Sequence, residues 1–236
     1  MTTICNNLAA VSDRIAAACA AAGRDRSTVH LLAVSKTFGP EAVREALATG
    51  QRAFGENYLQ EAASKIEALP GLGIEWHCIG PIQSNKTRVA AEHFDWVQSV
   101  DRLKIAERLS AQRPEHLPPL NVCLQVNIDG GASKSGVAPQ DALALAQAVH
   151  ALPRLRLRGL MTIPEPAEGF EAQHAVHARA RALFDALVAA GLPLDTLSMG
   201  MSADIEAAVA AGSTMVRVGS AIFGGRPQPV AEKEHP

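Results

Sequence analysis

The feature that most constrains the fold is a regular alternation of short apolar runs with longer segments of helical periodicity. Most runs are apolar at consecutive positions, which is typical of parallel strands that are covered on both faces. The segments between them repeat apolar residues at three- and four-residue steps, as Leu103, Ala106 and Leu109 do. Eight runs fit this description: His30 to Ser35, Arg52 to Gly55, Glu75 to Gly80, Trp96 to Val100, Asn121 to Asn127, Leu157 to Ile163, Thr196 to Gly200 and Thr214 to Phe223.

Eight strands that alternate with helices predict an α/β fold, a single (β/α)8 TIM-type barrel. The 236 residues are close to the roughly 250 that are usual for this barrel, so we expect one domain over 1–236. An open, doubly wound parallel sheet is the alternative. An extra amphipathic helix is predicted from Asn6 to Ala22, ended by Gly23, and the polar tail 225–236 is expected to fray.

Charge and composition argue against several classes of partner. The formal net charge is -2 and the pI is about 6.4, so no basic field attracts phosphate backbones or anionic membranes. No uncharged run approaches the ~18 residues of a membrane span, and the N-terminus does not resemble a signal peptide. The four cysteines are widely spaced, as buried thiols in a reducing compartment are. We therefore expect a cytoplasmic protein with no nucleic-acid or membrane partner.

Two basic residues stand at the predicted functional face, which in such a barrel is formed by the C-terminal ends of the strands. Lys36 ends the first strand, where desolvation would favour a neutral amine that is nucleophilic towards aldehydes. The alternative is a solvated or ion-paired lysine at the start of a loop. Arg217 lies within the apolar eighth strand, and a buried guanidinium needs a fixed anion, either a ligand or an internal carboxylate.

A candidate phosphate site follows the seventh strand. The turn from Ser198 to Ser202, which includes Gly200 and Met201, precedes a helix predicted for Ala203 to Ala211. Small residues at such a turn expose backbone amides, and a helix N-terminus is positively polarised. Barrel enzymes often bind phosphate after strands seven and eight, and Gly219 ends the eighth. The alternative is that Ser202 only caps the helix and the glycines only serve tight turns.

Asn57, His77 and Met161 would face the same mouth if the strand phases are right. Each is weak evidence alone, because a lone strand histidine is usually a satisfied core residue and methionine usually packs. The sequence has no cluster at metal-ligand spacing and no nucleotide-binding loop after a strand. An amine, an arginine and a phosphate site on one face suit a phosphorylated aldehyde, which is either pyridoxal 5′-phosphate (PLP) or the substrate of a Schiff-base aldolase.

Seven strings of the sequence resemble the pyridoxal phosphate homeostasis protein family. The similarity extends from the first helix to about Gly224, and the strings together are highly specific. They are LLAVSKT at 31–37, FGENY at 54–58, WHCIGPIQSNK at 76–86, SKSG at 133–136, GLM at 159–161, LSMGMS at 197–202 and RVGSAIFG at 217–224.

The resemblance implies a fold type III PLP barrel, similar to the N-terminal domain of alanine racemase. It implies an internal aldimine of PLP on Lys36, with Arg217 at the ring nitrogen or the phosphate. Lys134 matches a loop lysine associated with PLP binding or transfer, and Ala203 replaces an acidic residue that relatives often carry. The resemblance also assigns phosphate contacts to the turn 198–202 and to Gly219. It implies that the pocket wall includes Asn57, His77 and Met161.

The family resemblance also implies a PLP carrier without turnover of its own, monomeric or weakly dimeric, which stores PLP or delivers it to apo-enzymes. The sequence supports this, because racemisation needs a second base, which in the racemase is a tyrosine from a partner's C-terminal domain. Tyr58, the single tyrosine here, belongs to a matched string, and the chain stops soon after the eighth strand. The alternatives are a PLP-dependent amino-acid racemase or decarboxylase, and a phosphosugar aldolase.

Overall fold

The computed structural model describes residues 3–131 and 135–225. Within these ranges, parallel strands close a barrel in which each strand pairs with the next in sequence and β8 pairs with β1. The predicted (β/α)8 TIM-type barrel is therefore confirmed, and the open sheet is excluded. The strands are β1 His30–Val34, β2 Ala53–Glu56, β3 Glu75–Cys78, β4 Trp96–Val100, β5 Leu120–Val126, β6 Leu155–Thr162, β7 Thr196–Ser198 and β8 Met215–Val218.

Helices pack around the outside of the barrel. The predicted extra helix is present as α1, which buries its apolar stripe against α2, α8 and α9 and ends before Gly23, whose φ is +64°. Over the described ranges, no helix is long and apolar enough to cross a membrane. The helices are α1 Thr3–Ala21, α2 Pro40–Ala48, α3 Leu59–Glu67, α4 Thr87–His93, α5 Leu103–Gln112, α6 Ala142–His150, α7 Phe170–Ala189, α8 Ile205–Ala210 and α9 Ser220–Phe223.

Three predicted boundaries near the functional face are wrong. The eighth strand ends at Val218, because Gly219 leaves the extended conformation (φ -115°, ψ -75°) and the apolar residues after it form α9. The seventh strand ends at Ser198, and the left-handed φ of +93° at Gly200 turns the chain. Helix α8 begins at Ile205, two residues later than expected. The tail that was expected to fray lies outside the described residues except for Gly225.

The buried side chains divide between a shell and the barrel interior. Alternate residues of a strand face opposite sides, so Ala33 packs in the shell beneath the helices while Leu32 faces inward. The inward apolar side chains form two small clusters, one around Leu32 and Met215 and one around Trp96 and Met161. Buried polar side chains occupy the interior as well: His77, Gln98, Ser198 and Arg217.

Candidate functional site

A cavity of about 560 Å³ opens at the C-terminal ends of the strands, which is the face predicted to be functional. Its walls come from the ends of β1 and β8 and from the turns that follow β1, β2, β3, β6, β7 and β8. Larger clefts exist at the opposite face, but they do not contain the predicted site residues. Of those residues, the cavity is lined by Lys36, Asn57, Met201, Ser202, Arg217 and Gly219.

The segment that carries Lys36 is fixed on both sides by side chains of β2 and α3. Lys65 Nζ donates a hydrogen bond to the carbonyl of Ser35 (2.9 Å), and the Ser35 hydroxyl donates to Glu56 Oε1 (2.5 Å). On the other side, the amide of Thr37 donates to Glu61 Oε1 (2.7 Å). Thr37 has a φ of +69°, a conformation that a β-branched residue rarely adopts without such support.

A buried ion pair stands at the centre of this arrangement, which we call the lysine clamp (Ser35, Glu56, Glu61 and Lys65). Lys65 Nζ lies 2.6 Å from Glu56 Oε1, and the two side chains are 3% and 0% exposed. Burial raises the pKa of Glu56, and the charge of Lys65 opposes that shift. Sequence reasoning missed the clamp, because Glu61 and Lys65 have the i,i+4 spacing of an ordinary surface pair.

Arg217 presents a buried cation to the cavity. Its Nη1 donates to Ser198 Oγ (2.8 Å) and its Nη2 donates to the Thr162 carbonyl (2.7 Å). Both acceptors are neutral, and Arg217 forms no salt bridge to any carboxylate of the described ranges. Burial lowers the pKa of Arg217 to about 10, so the group stays protonated at neutral pH. An internal ion pair therefore does not account for this arginine.

The turn after β7 offers backbone amides to the same cavity. Asp204 Oδ1 accepts from the Met201 amide (2.6 Å), and Asp204 Oδ2 lies 2.8 Å from His177 Nε2, so the turn is held from outside. The amides of Ser202 and Ala203 have no acceptor in the described part of the chain, although both residues line the cavity. Asp204 occupies the cap position of α8, which removes the alternative that Ser202 is the capping residue.

The wall contributed by Asn57 contains polar atoms that lack partners. Within the described residues, the buried Oδ1 of Asn57 and the buried Oγ1 of Thr37 accept no hydrogen bond. Buried polar atoms are normally paired, so these two suit a polar ligand. Gly80 packs against this wall so closely that a Cβ there would lie 2.1 Å from the Asn57 carbonyl oxygen. The site therefore fits a ligand with an aldehyde, an anionic group and further acceptors or donors.

Four predicted site residues lie beneath the cavity and do not line it. His77 turns towards the opposite end of the barrel, where its Nε2 lies 2.8 Å from Glu75 Oε1. Met161 packs with Trp96, and Ser198 supports Arg217. Gly200 packs against α8, where a Cβ would approach Ala208 Cβ to 2.4 Å. Contacts of these four residues with a cofactor stay predictions, and Lys134 lies outside the described residues.

Sequence reasoning missed several residues of the cavity wall. Thr37 directly follows Lys36, Ile79 is the last residue but one of the third predicted run, and Ile163 ends the sixth. The rule that strand ends form the functional face was therefore a signal that pointed to all three. Of the described residues that line the cavity, the ones with ionisable side chains are Lys36 and Arg217.

Similarity to known proteins covers nearly the whole chain. The family described as alanine racemase, N-terminal domain, matches residues 7–227. A pyridoxal phosphate homeostasis protein of Pseudomonas aeruginosa is 64% identical over 226 residues, which are 96% of this chain and 97% of that protein. The protein of the same name from Escherichia coli K12 is 53% identical over 229 residues, which are 96% of this chain and 98% of that protein.

Solved structures share the barrel. PipY of Synechococcus elongatus PCC7942, with PLP bound, aligns with a TM-score of 0.80 and 38% identity over 94% of this chain and 100% of that chain. An alanine racemase of Clostridium difficile 630 aligns with a TM-score of 0.70 over 87% of this chain and 55% of that chain. At 16% identity, the second likeness concerns the fold alone.

Proposed function

The chain belongs to the pyridoxal phosphate homeostasis protein family, and from this membership we propose that it binds PLP and acts in PLP homeostasis, by storage or delivery. The observation that carries the proposal is the cavity, where one amine, one buried guanidinium and two amides that have no acceptor among the described residues converge. PLP supplies a reactive aldehyde, a phosphate and a pyridine nitrogen, and each has a counterpart there.

Each cavity residue has a proposed role. The Lys36 amine reacts with the aldehyde and holds the cofactor covalently, while the amides of Ser202 and Ala203, with Gly219, receive the phosphate. Arg217 faces the pyridine nitrogen or the phosphate, and Asn57 supplies the unpaired Oδ1. Met201 forms part of the rim, whereas we place His77, Met161, Ser198 and Gly200 in supporting roles beneath the cofactor.

The set of ionisable groups supports binding over turnover. Proton transfer to and from a substrate needs positioned acids or bases, and racemisation needs one on each face of the cofactor. Lys36 is the single group of this kind among the described lining residues, because the guanidinium of Arg217 stays protonated. We further propose a cytoplasmic monomer whose recipients are PLP-requiring apo-enzymes.

The first experiment records absorbance between ~300 and 500 nm for the wild type and Lys36→Ala after incubation with PLP. We expect a band in the wild type that borohydride removes, and no such band in Lys36→Ala. Lys104→Ala is the matched control, because Lys104 is exposed on α5, away from the cavity. A wild type that stays colourless, or a Lys36→Ala spectrum like that of the wild type, would refute the proposed site.

Delivery needs a separate test. The holo-protein should reactivate a PLP-requiring apo-enzyme faster than an equal concentration of free PLP does. Equal rates would remove delivery from the proposal and leave storage.

A further inference from the structure

A chain of hydrogen bonds crosses the barrel interior from the cavity to the opposite face. Arg217 Nη1 donates to Ser198 Oγ (2.8 Å), which lies 2.7 Å from Gln98 Oε1. Gln98 Nε2 lies 2.9 Å from His77 Nδ1, and His77 Nε2 lies 2.8 Å from Glu75 Oε1. The first four side chains are buried, whereas Glu75, the first residue of β3, is 47% exposed. We call these five residues the polar relay.

With the Gln98 amide oxygen facing Ser198 and its nitrogen facing His77, every hydrogen bond in the polar relay has one direction. Arg217 can only donate, so Ser198 Oγ accepts from it and gives its own hydrogen to Gln98 Oε1. The Gln98 amide therefore donates to His77 Nδ1, which must be unprotonated. His77 carries its proton on Nε2 and donates it to Glu75. Burial lowers the pKa of His77 and thereby favours this neutral ring.

We propose that Glu75, His77 and Gln98 are positioning residues, which act through Ser198 to fix the orientation of the Arg217 guanidinium in the cavity. None of the three lines the cavity, so their effect on a ligand passes through Arg217. The inference rests on the proposed function in one respect, namely that PLP is the ligand that Arg217 meets.

The polar relay links the two barrel faces because its members have little freedom to change separately. If the His77 proton moved to Nδ1, two donors would face each other at Gln98, and the amide would have to turn over. Ser198 Oγ would then receive hydrogens from both Gln98 and Arg217, and its own hydrogen would lack its acceptor. Loss of the acceptor at Glu75, on one face, therefore loosens Arg217 on the other.

The experiment compares the wild type with Glu75→Leu, Glu75→Gln and Gln98→Leu, and with Glu67→Leu as a control. Glu67 is exposed at the end of α3, and within the described residues no hydrogen bond or ion pair joins it to the polar relay. The readouts are the Kd for PLP, the absorption spectrum of the bound form, and the side-chain ¹⁵N resonances of His77 and Arg217 without PLP.

We expect the wild-type His77 to be unprotonated at Nδ1. Glu75→Leu and Gln98→Leu should raise the Kd about threefold to tenfold, shift the absorption band, and move the Arg217 resonances. Glu75→Gln keeps a carbonyl acceptor and should restore the Kd to within about twofold of the wild type, and Glu67→Leu should change nothing.

Three results would overturn the inference: a protonated Nδ1 in the wild type, Arg217 resonances unchanged in Glu75→Leu, or wild-type Kd and spectrum in that variant. If Gln98→Leu does not fold, the two Glu75 variants decide, because that side chain lies at the surface. A wild type that binds no PLP would refute the proposed function instead, and the resonances of Arg217 would still decide whether the polar relay orients it.

Discussion

Replacement of Lys65 by methionine tests the lysine clamp behind Lys36. Methionine keeps most of the volume of the lysine stem, so the substitution removes the charge without opening a large cavity. The variant loses the 2.6 Å ion pair with Glu56 and the 2.9 Å hydrogen bond to the Ser35 carbonyl. The Glu56 carboxylate, which is 0% exposed, then has no cation beside it.

The expected loss follows from this burial. Removal of one partner from a buried ion pair costs about 3–5 kcal/mol in the free energy of unfolding. In chains of this size, each kcal/mol lowers Tm by about 2–4 °C, so we expect Lys65→Met to lower Tm by about 6–20 °C. A second substitution, Glu56→Gln, removes the uncompensated charge and should recover about half of the loss or more.

The stability loss of Lys65→Met should also depend on pH, which gives a second test of the lysine clamp. Burial holds the pKa of Glu56 above its ordinary value of 4.5, and loss of Lys65 raises it further. Between 4.5 and that raised pKa, the folded state binds a proton that the unfolded state does not. The stability deficit of Lys65→Met should therefore shrink as the pH falls through the raised pKa and level off below 4.5.

The assay is urea unfolding together with calorimetry at several pH values. Lys104→Met is the matched control, because Lys104 is exposed on α5 and outside the lysine clamp. If Lys65→Met lowered the free energy of unfolding by less than about 1 kcal/mol, the value typical of a surface ion pair, the lysine clamp would be refuted. A double variant no more stable than the single one would refute it as well.

Three further predictions follow from the site and the barrel interior. Gly80→Ala would place a Cβ 2.1 Å from the Asn57 carbonyl oxygen, so we expect a loss of about 1–3 kcal/mol in urea unfolding, and an unchanged midpoint would contradict this contact. Arg217→Lys keeps the charge, but the single amine of lysine cannot reach Ser198 and the Thr162 carbonyl together. The Kd for PLP in equilibrium dialysis should therefore rise about tenfold or more. An unchanged Kd would show that the two hydrogen bonds of the guanidinium do not matter for binding. Burial depresses the pKa of His77 below 6.5, so the contribution of the neutral ring to stability is present above pH 6.5 and is lost as the pH falls through the folded-state pKa. His77→Gln should therefore make the fall in unfolding free energy below pH 6.5 less steep, by up to ~1.4 kcal/mol per pH unit. Parallel curves of unfolding free energy against pH for the two proteins would contradict this.

The fold was predictable because its signal is repetitive and has long range. A parallel strand covered on both faces is apolar at consecutive positions, and eight such runs leave few architectures. The errors are local, as at Ser220–Phe223, where an apolar run forms a short helix and not the end of a strand. Periodicity cannot distinguish a short buried helix from a strand, and Gly219 was the only punctuation between them.

The site was predictable only where position along a strand decides the outcome. Lys36, Ser202 and Arg217 meet because the C-terminal ends of parallel strands share one face. The polar relay was not predictable, because Gln98 and Ser198 are one hundred residues apart and meet across the barrel interior. The signal that could have indicated it is a polar Gln98 in the middle of the apolar run from Trp96 to Val100, which the structure buries completely.

Each ionisable group of the cavity is backed by its own buried polar network. The lysine clamp holds the segment of Lys36, and the polar relay holds Arg217. Groups that are fixed before a ligand arrives lose little further entropy on binding, so both networks favour retention of the cofactor. The turn 201–203 differs, because its side chains are partly exposed and Met201 lies at the rim. The two networks that favour retention therefore lie on the buried side of the site, and the turn 201–203 forms its more exposed side.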